Sequence, residues 1–163
     1  MKLTADAPGL ITFVRDSNRI EGIGRNPTDQ EVAETAKFLA LDQVTLDDLR
    51  RLALVYALGR GILRERKGMD VRVGNHYPPR GGQHVRVELV KLLDTLRDPD
   101  KSPFEFHREY ENLHPFMDGN GRTGRATWAW QMLHRGHENW LLIGFLHAYY
   151  YQSLSTVVGR EAE

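Results

Sequence analysis

Apolar residues along this chain recur mostly at three- and four-residue steps, the spacing of one buried helical face, and strictly alternating stretches are few. The segment TDQEVAETAKFLAL opens with Thr28 and Glu31 in capping-box spacing, which predicts a helix over residues 28–41. Thr45 and Asp48 repeat a weaker form of that start. Leu46, Leu49, Leu52, Tyr56 and Leu63 follow at steps of three, four and seven, which predicts one long helix ending near Lys67. Helical spacing resumes with Val85, Leu89, Leu92, Leu93 and Leu96. Ser102 before Pro103 is a good cap and first-turn pair, and the helix it starts runs through Phe106, Tyr110 and Leu113 before Pro115 stops it at His114. A further helix is predicted over 120–134, carrying Trp128 and Met132 and ending at Gly136, with shorter apolar segments at 141–151 and 154–158.

One stretch interrupts this pattern. In GMDVRVGNHYPPRGG, Val71 and Val73 alternate with Arg72, Gly74 follows, and two prolines forbid a continuing helix. That predicts a short β-hairpin flap inside an otherwise all-α bundle. Repeats, low-complexity tracts and long linkers are lacking, so residues 1–163 are expected to form a single domain.

Composition narrows the function classes. Lysine plus arginine equals aspartate plus glutamate at 22 each, so net charge gives no reason to expect a nucleic-acid partner or an electrostatically held membrane surface. An anion site would have to be local. With no cysteine, thiolate nucleophiles and cysteine metal sites drop out. The N-terminus lacks a signal-peptide core and the longest apolar run, 141–146, is too short to span a bilayer, so a cytoplasmic location is expected.

Local anion chemistry is concentrated in LHPFMDGNGRTGR, residues 113–125. If this loop delivers the chain into a helix beginning near Asn120, the N–H groups of Gly119, Asn120 and Gly121 lie at a helix N-terminus, where the macrodipole favours negative charge. Glycine leaves room for close approach of a phosphate. Arg122 and Arg125, three apart, lie on roughly one face and could fork onto phosphate oxygens. Asp118 would repel a bare phosphate but could share Mg²⁺ with it. His114 ends the preceding helix, where it could accept a proton from an incoming hydroxyl. Each of these residues has an ordinary reading as a turn, a helix end or a solvated face; turn chemistry alone does not call for all of them together.

HPFMDGNGRTGR resembles, position for position, the signature of the Fic family, His-x-Phe-x-Asp/Glu-Gly-Asn-Gly-Arg-x-x-Arg. His107, Tyr110 and Glu111 resemble its usual lead-in, DVRVGNHYPP looks like the family's flap, and the likeness extends over about residues 10–158. The resemblance implies a Fic-type helical bundle that transfers AMP from ATP to a Ser, Thr or Tyr hydroxyl of a target protein. It implies His114 as the base, Asp118 on Mg²⁺, and Asn120 with the loop amides around the α-phosphate. Arg122 and Arg125 would hold the outer phosphates, with Gly119, Gly121 and Gly124 as the glycines of the signature and Phe116 as the loop's anchor. The related death-on-curing kinases carry lysine where this chain has Gly121, which favours nucleotidyl transfer over phosphorylation. A phosphocholine-transferring variant of the superfamily leaves the donor less fixed than the chemistry.

Upstream, SNRIEG at 17–22 resembles the family's inhibitory motif, Ser/Thr-x-x-x-Glu-Gly/Asn. Residues 1–24 would then be an N-terminal inhibitory helix and 25–163 the catalytic core. Glu21 would pair with Arg125, occupying the charge meant for the γ-phosphate, with Ser17 one turn away. In some relatives the same glutamate positions a water that removes AMP, and both directions stay open here. The flap at Val71, Arg72, Val73 and Gly74 would hold the target by strand addition. Tyr150 and Tyr151 are candidates for the adenine pocket, and the oligomeric state is open, a homodimer included.

Two rivals stand beside this reading. His107, Glu111 and His114 share one helical face and could ligate a catalytic zinc in a hydrolase. The same loop could also belong to a nucleotide-binding module without turnover.

Overall fold

The computed structural model describes residues 9–137. Among them are six helices and no strand: α1 (Leu10–Ile20), α2 (Asp29–Leu39), α3 (Leu46–Tyr56), α4 (Gln83–Asp94), α5 (Pro103–Leu113) and α6 (Asn120–His134). The segments expected at 141–151 and 154–158, with Tyr150 and Tyr151, lie outside the described residues.

Three helices begin as local chemistry dictates. Thr28 and Glu31, Thr45 and Asp48, and Ser102 and Glu105 each form a complete reciprocal capping box, with Pro103 in the first turn of α5. Each cap satisfies two backbone donors and contributes about 1 kcal/mol. At their far ends, α1 and α6 close on paired carbonyl bonds. Gly22 and Ile23 donate to Arg19 and Asn18 at 3.0 Å each, and Gly136 and His137 donate to Leu133 and Met132 at 3.0 and 2.9 Å. Both glycines sit at φ 75°, the left-handed conformation such a terminus requires.

The centre of the fold is α6. It packs against α5, α2, α3 and α1, and its buried residues run round the whole helix, including Thr123, Gly124, Ala126, Thr127, Ala129 and Trp130. Small side chains let the neighbours approach closely. Trp130 donates its indole N–H to Leu41 C=O at 2.8 Å, and the buried Tyr110 and Thr123 hydroxyls meet at 2.7 Å between α5 and α6. Around this helix, Leu10 and Phe13 of α1, Leu49 and Leu52 of α3, Leu89 of α4 and Phe106 of α5 are almost fully buried.

Two expectations are corrected. The helix starting at Leu46 ends at Tyr56, not near Lys67. Leu58 adopts φ 51° and Gly59 φ 85°, and the Gly59 N–H turns back to Leu54 C=O at 2.8 Å, so the chain leaves the helix and Leu63 reaches the core from an extended segment. Leu63 pairs there as an isolated bridge with Phe116. The hairpin flap is likewise reduced to one bridge: Val73 and His76 exchange two backbone bonds, at 3.0 and 2.8 Å, around Gly74 and Asn75. The next bonded pair would set Val71 opposite Pro78, which has no N–H to give, so no ladder forms.

Candidate functional site

The α5–α6 loop is built around two buried anchors. Phe116 is fully buried beside Leu63, and Asn120 locks its backbone from both sides. The Asn120 carboxamide oxygen accepts from Phe116 N–H at 2.8 Å and its nitrogen donates to Phe116 C=O at 2.7 Å. With both ends of that side chain engaged, Asn120 has its backbone N–H left to offer an anion. Gly119 caps α6 at φ 84° without any side-chain cap. Its N–H is held by Asp118 Oδ1 at 2.7 Å, so the next amides form the open end of the helix.

Arg125 projects from the second turn of α6 to α1 and is 1% exposed. Its Nε donates to the Ser17 hydroxyl at 2.8 Å, and its Nη2 donates to Ser17 C=O at 3.0 Å and to Glu21 Oε1 at 2.6 Å. Glu21 is the residue at which α1 ends, and the Gly22 turn behind it fixes where the carboxylate points. It lies directly over Gly121, where a Cβ would stand 2.1 Å from Glu21 Oε1. A side chain at position 121 would therefore have to displace the glutamate carboxylate already present, whatever else approaches that face. Gly124 faces away, against α5, where a Cβ would meet Glu111 Oε1 at 2.6 Å; its part is helix packing.

Arg122 is buried too. It donates to Tyr56 C=O at the end of α3 and lies 5.7 Å over the Tyr56 ring. Its Nη2 is 3.8 Å from Asp118 Oδ1, and Asp118 Oδ2 is 3.4 Å from Arg60 Nη2. Asp118 is 39% exposed and Arg60 74%, so this pair marks the open rim of the loop. Sequence periodicity placed Arg60 inside a helix and gave no sign of it.

His114 sits at the C-terminal cap of α5 in the left-handed conformation, φ 48° and ψ 62°. Burial, ahead of smaller effects of its surroundings, pushes its imidazole down to about 4 from 6.5, so the ring is neutral near pH 7 and able to take a proton. Glu111 Oε2 is 3.9 Å from its Nδ1, while Glu111 Oε1 is 4.0 Å from His107 Nε2. Burial drives the Glu111 carboxyl up to about 7, Arg125 opposing and Glu21 reinforcing the rise. His107 is pushed down to about 3 by burial first and Arg125 second. These three do not form the rival zinc site: His107 is sealed in the core, and among the described residues no group of three His, Asp or Glu is arranged to hold a metal.

One residue here was not anticipated. Arg64 is 0% exposed, and its Nε donates to His114 C=O at 2.7 Å, its Nη2 to Leu113 C=O at 2.9 Å. Its Nη1 donates to Met69 and Pro79 C=O at 3.1 and 2.9 Å, the two roots of the loop that carries Val71, Arg72, Val73 and Gly74. That loop also touches α5 directly, His76 Nε2 lying 3.0 Å from Asn112 C=O. A cavity of about 500 Å³ opens beneath it, lined by His76, Pro79, Glu88, Leu92, Glu109, Asn112 and Leu113.

His114, Asp118, the open end of α6, Arg122, Arg125, Ser17 and Glu21 are thus gathered at one junction of α1, α3, α5 and α6. Such a junction presents a neutral base, two buried cations, an uncapped helix N-terminus and one exposed carboxylate, a combination suited to a phosphorylated ligand. The model of the Fic/DOC family matches residues 34–132. A crystal structure of a Fic family protein from Desulfovibrio desulfuricans G20 superposes with a TM-score of 0.67 at 22% identity, covering 93% of this chain. This chain spans 57% of that protein's length.

Proposed function

The chain belongs to the Fic/DOC family, and from that premise we propose that it is a protein adenylyltransferase, moving AMP from ATP to a Ser, Thr or Tyr hydroxyl of another protein, and that Glu21 restrains it. The observation that carries this reading is the Glu21 carboxylate seated on Arg125 over Gly121. A carboxylate at 2.6 Å from a buried guanidinium, above the first turn of a helix, occupies a position that suits an outer phosphate oxygen.

In the proposed reaction the nucleotide phosphates lie along the N-terminus of α6. The Asn120 and Gly121 amides meet the α-phosphate, and Arg122 and Arg125 meet the outer phosphates. His114, neutral near pH 7, takes the proton of the target hydroxyl. The hydroxyl oxygen bonds to the α-phosphorus as the bond to the bridging oxygen of the β-phosphate breaks, and pyrophosphate leaves. The Phe116–Asn120 pairing keeps the loop from collapsing onto its own amides, so the donors are oriented before substrate arrives.

The residues also fit Mg²⁺. That ion takes one or two carboxylates and otherwise substrate phosphates and water, and Asp118 is a single exposed carboxylate on the rim. When bound, the ion neutralises phosphate charge that would otherwise meet Asp118. The loop after Met69 would hold the target chain through its exposed edge.

Incubating the Glu21→Gly protein with cell lysate and α-labelled ATP, with His114→Ala as control, tests the reading. Label on protein that depends on His114 is the expected result. Nucleotide binding without any His114-dependent label would mark a binding module instead.

A further inference from the structure

Arg64 holds a full positive charge in the protein interior with no carboxylate at ion-pair distance among the described residues; Asp70 is the nearby negative group that favours its charge. Its partners are four carbonyl oxygens: His114, Leu113, Met69 and Pro79. Its own backbone completes the knot, its N–H bonding to Pro115 C=O at 2.9 Å and its C=O accepting from Gly82 N–H at 3.0 Å. Burying a guanidinium against neutral dipoles is a costly way to fasten a loop, and apolar packing would do it at lower cost. What the planar fork adds is direction, since its donors leave at fixed angles.

Those directions divide into two groups. Two donors go to the last carbonyls of α5, where positive charge is favoured and where the helix has no further N–H to satisfy them. They brace His114, which, with Leu58, is one of two non-glycine residues at positive φ among those described. A left-handed backbone is disfavoured for a non-glycine residue and persists where surroundings fix it. The other nitrogen reaches both roots of the 70–78 loop, which Asp70 Oδ1 further closes by accepting from Gly81 N–H at 2.8 Å.

We propose that Arg64 is a positioning residue that sets the backbone of His114 and links it to the 70–78 loop, so that a protein substrate seated on that loop is registered at the base. As a statement about transfer, this rests on the adenylyltransferase reading above; as a statement about His114, it does not. The charged and titratable groups facing His114 are Glu111 on its own helix, Arg64, His76 of the loop, and Glu21 of α1.

The test uses the full chain carrying Arg64→Lys, which keeps the charge but replaces a fork by one donor centre. In the Glu21→Gly background, nucleotide affinity should stay within about twofold while transfer from α-labelled ATP falls roughly ten- to a hundredfold. Independently of activity, the His114 ring signals followed by NMR should titrate at higher pH than in the parent protein. Amide exchange should rise together at Val73, His76 and His114. An unchanged His114 titration, or faster exchange in the loop alone with transfer intact, overturns the proposal. Should Arg64→Lys not fold, Val73→Gly loosens the loop from its other side and leaves Arg64, His76 and the contact with α5 untouched; His114 signals that do not respond then overturn the coupling. Should Glu21→Gly show no transfer with Arg64 intact, the enzymatic reading fails, and the titration and exchange data still decide the role of Arg64.

Discussion

Glu21 and Arg125, 104 residues apart in sequence, meet through a 2.6 Å charged hydrogen bond at the start of the protein's central helix. If that contact restrains transfer, removing the side chain and removing only its charge should differ. Glu21→Gly is expected to incorporate label from ATP roughly tenfold faster or more, since one charge-assisted bond is worth about 1.5–3 kcal/mol. Glu21→Gln, which still fills the space, should fall between variant and wild type. Equal incorporation by all three proteins would remove the restraint from the mechanism.

The Gly121 contact gives a second prediction that needs no activity. A methyl group at this position would stand 2.1 Å from Glu21 Oε1, so Gly121→Ala must displace that carboxylate. In a double-mutant cycle read by thermal or denaturant unfolding, Gly121→Ala should destabilise the wild type more than it destabilises Glu21→Gly. A coupling of about 1 kcal/mol is expected. Strictly additive effects would mean that Gly121 is required for some other reason.

Asn120 should behave as a structural brace. Asn120→Ala strands a buried N–H and a buried C=O of Phe116, and the expected loss is about 1–3 kcal/mol in unfolding free energy. Asn120→Asp keeps the acceptor and loses the donor, so it should lie between. Nucleotide affinity should fall in step with stability across the pair, because the same bonds orient the amides.

Titration gives a fourth prediction. His114 and His107 are held near 4 and 3 against an ordinary 6.5, so between those values the unfolded chain binds more protons than the folded one. Their contribution is complete above 6.5 and is lost as pH falls below it. Glu111 has the opposite sign: its carboxyl is raised from 4.5 to about 7, so the folded state is favoured at low pH and loses stability as pH climbs through that interval. Thermal midpoints of Glu111→Gln should match wild type near pH 4 and exceed it at about pH 8, with the acid-side decline retained. Identical curves would show that Glu111 ionises as freely as an exposed carboxylate.

Much of this arrangement is legible in the residues, unevenly. Helix starts were, because a capping box is local chemistry written within four positions, and α6 was bounded at both ends by Gly119 and Gly136. The end of α3 was not: Leu58 turns left-handed, which no propensity predicts, and Leu63 keeps helical spacing although it enters the core from an extended segment. The 70–78 loop was correctly placed outside the helices but given more pairing than Pro78 allows. Arg64 was invisible because its partners are carbonyls, which every residue possesses. Ser17 and Glu21 were legible through likeness to a family motif, since nothing in periodicity links α1 to the second turn of α6.

The manner in which α1 ends has one further consequence. Ser17 holds Arg125 by two bonds and Glu21 by one, and the Glu21 side chain is partly open to water at the rim of its helix. Swinging that carboxylate aside takes rotation about a few side-chain torsions, while Ser17 keeps the guanidinium aimed. The restrained and competent forms would then differ by a latch within one folded body, and an activator would have a rotamer to displace, with no need to peel away the helix that bears it.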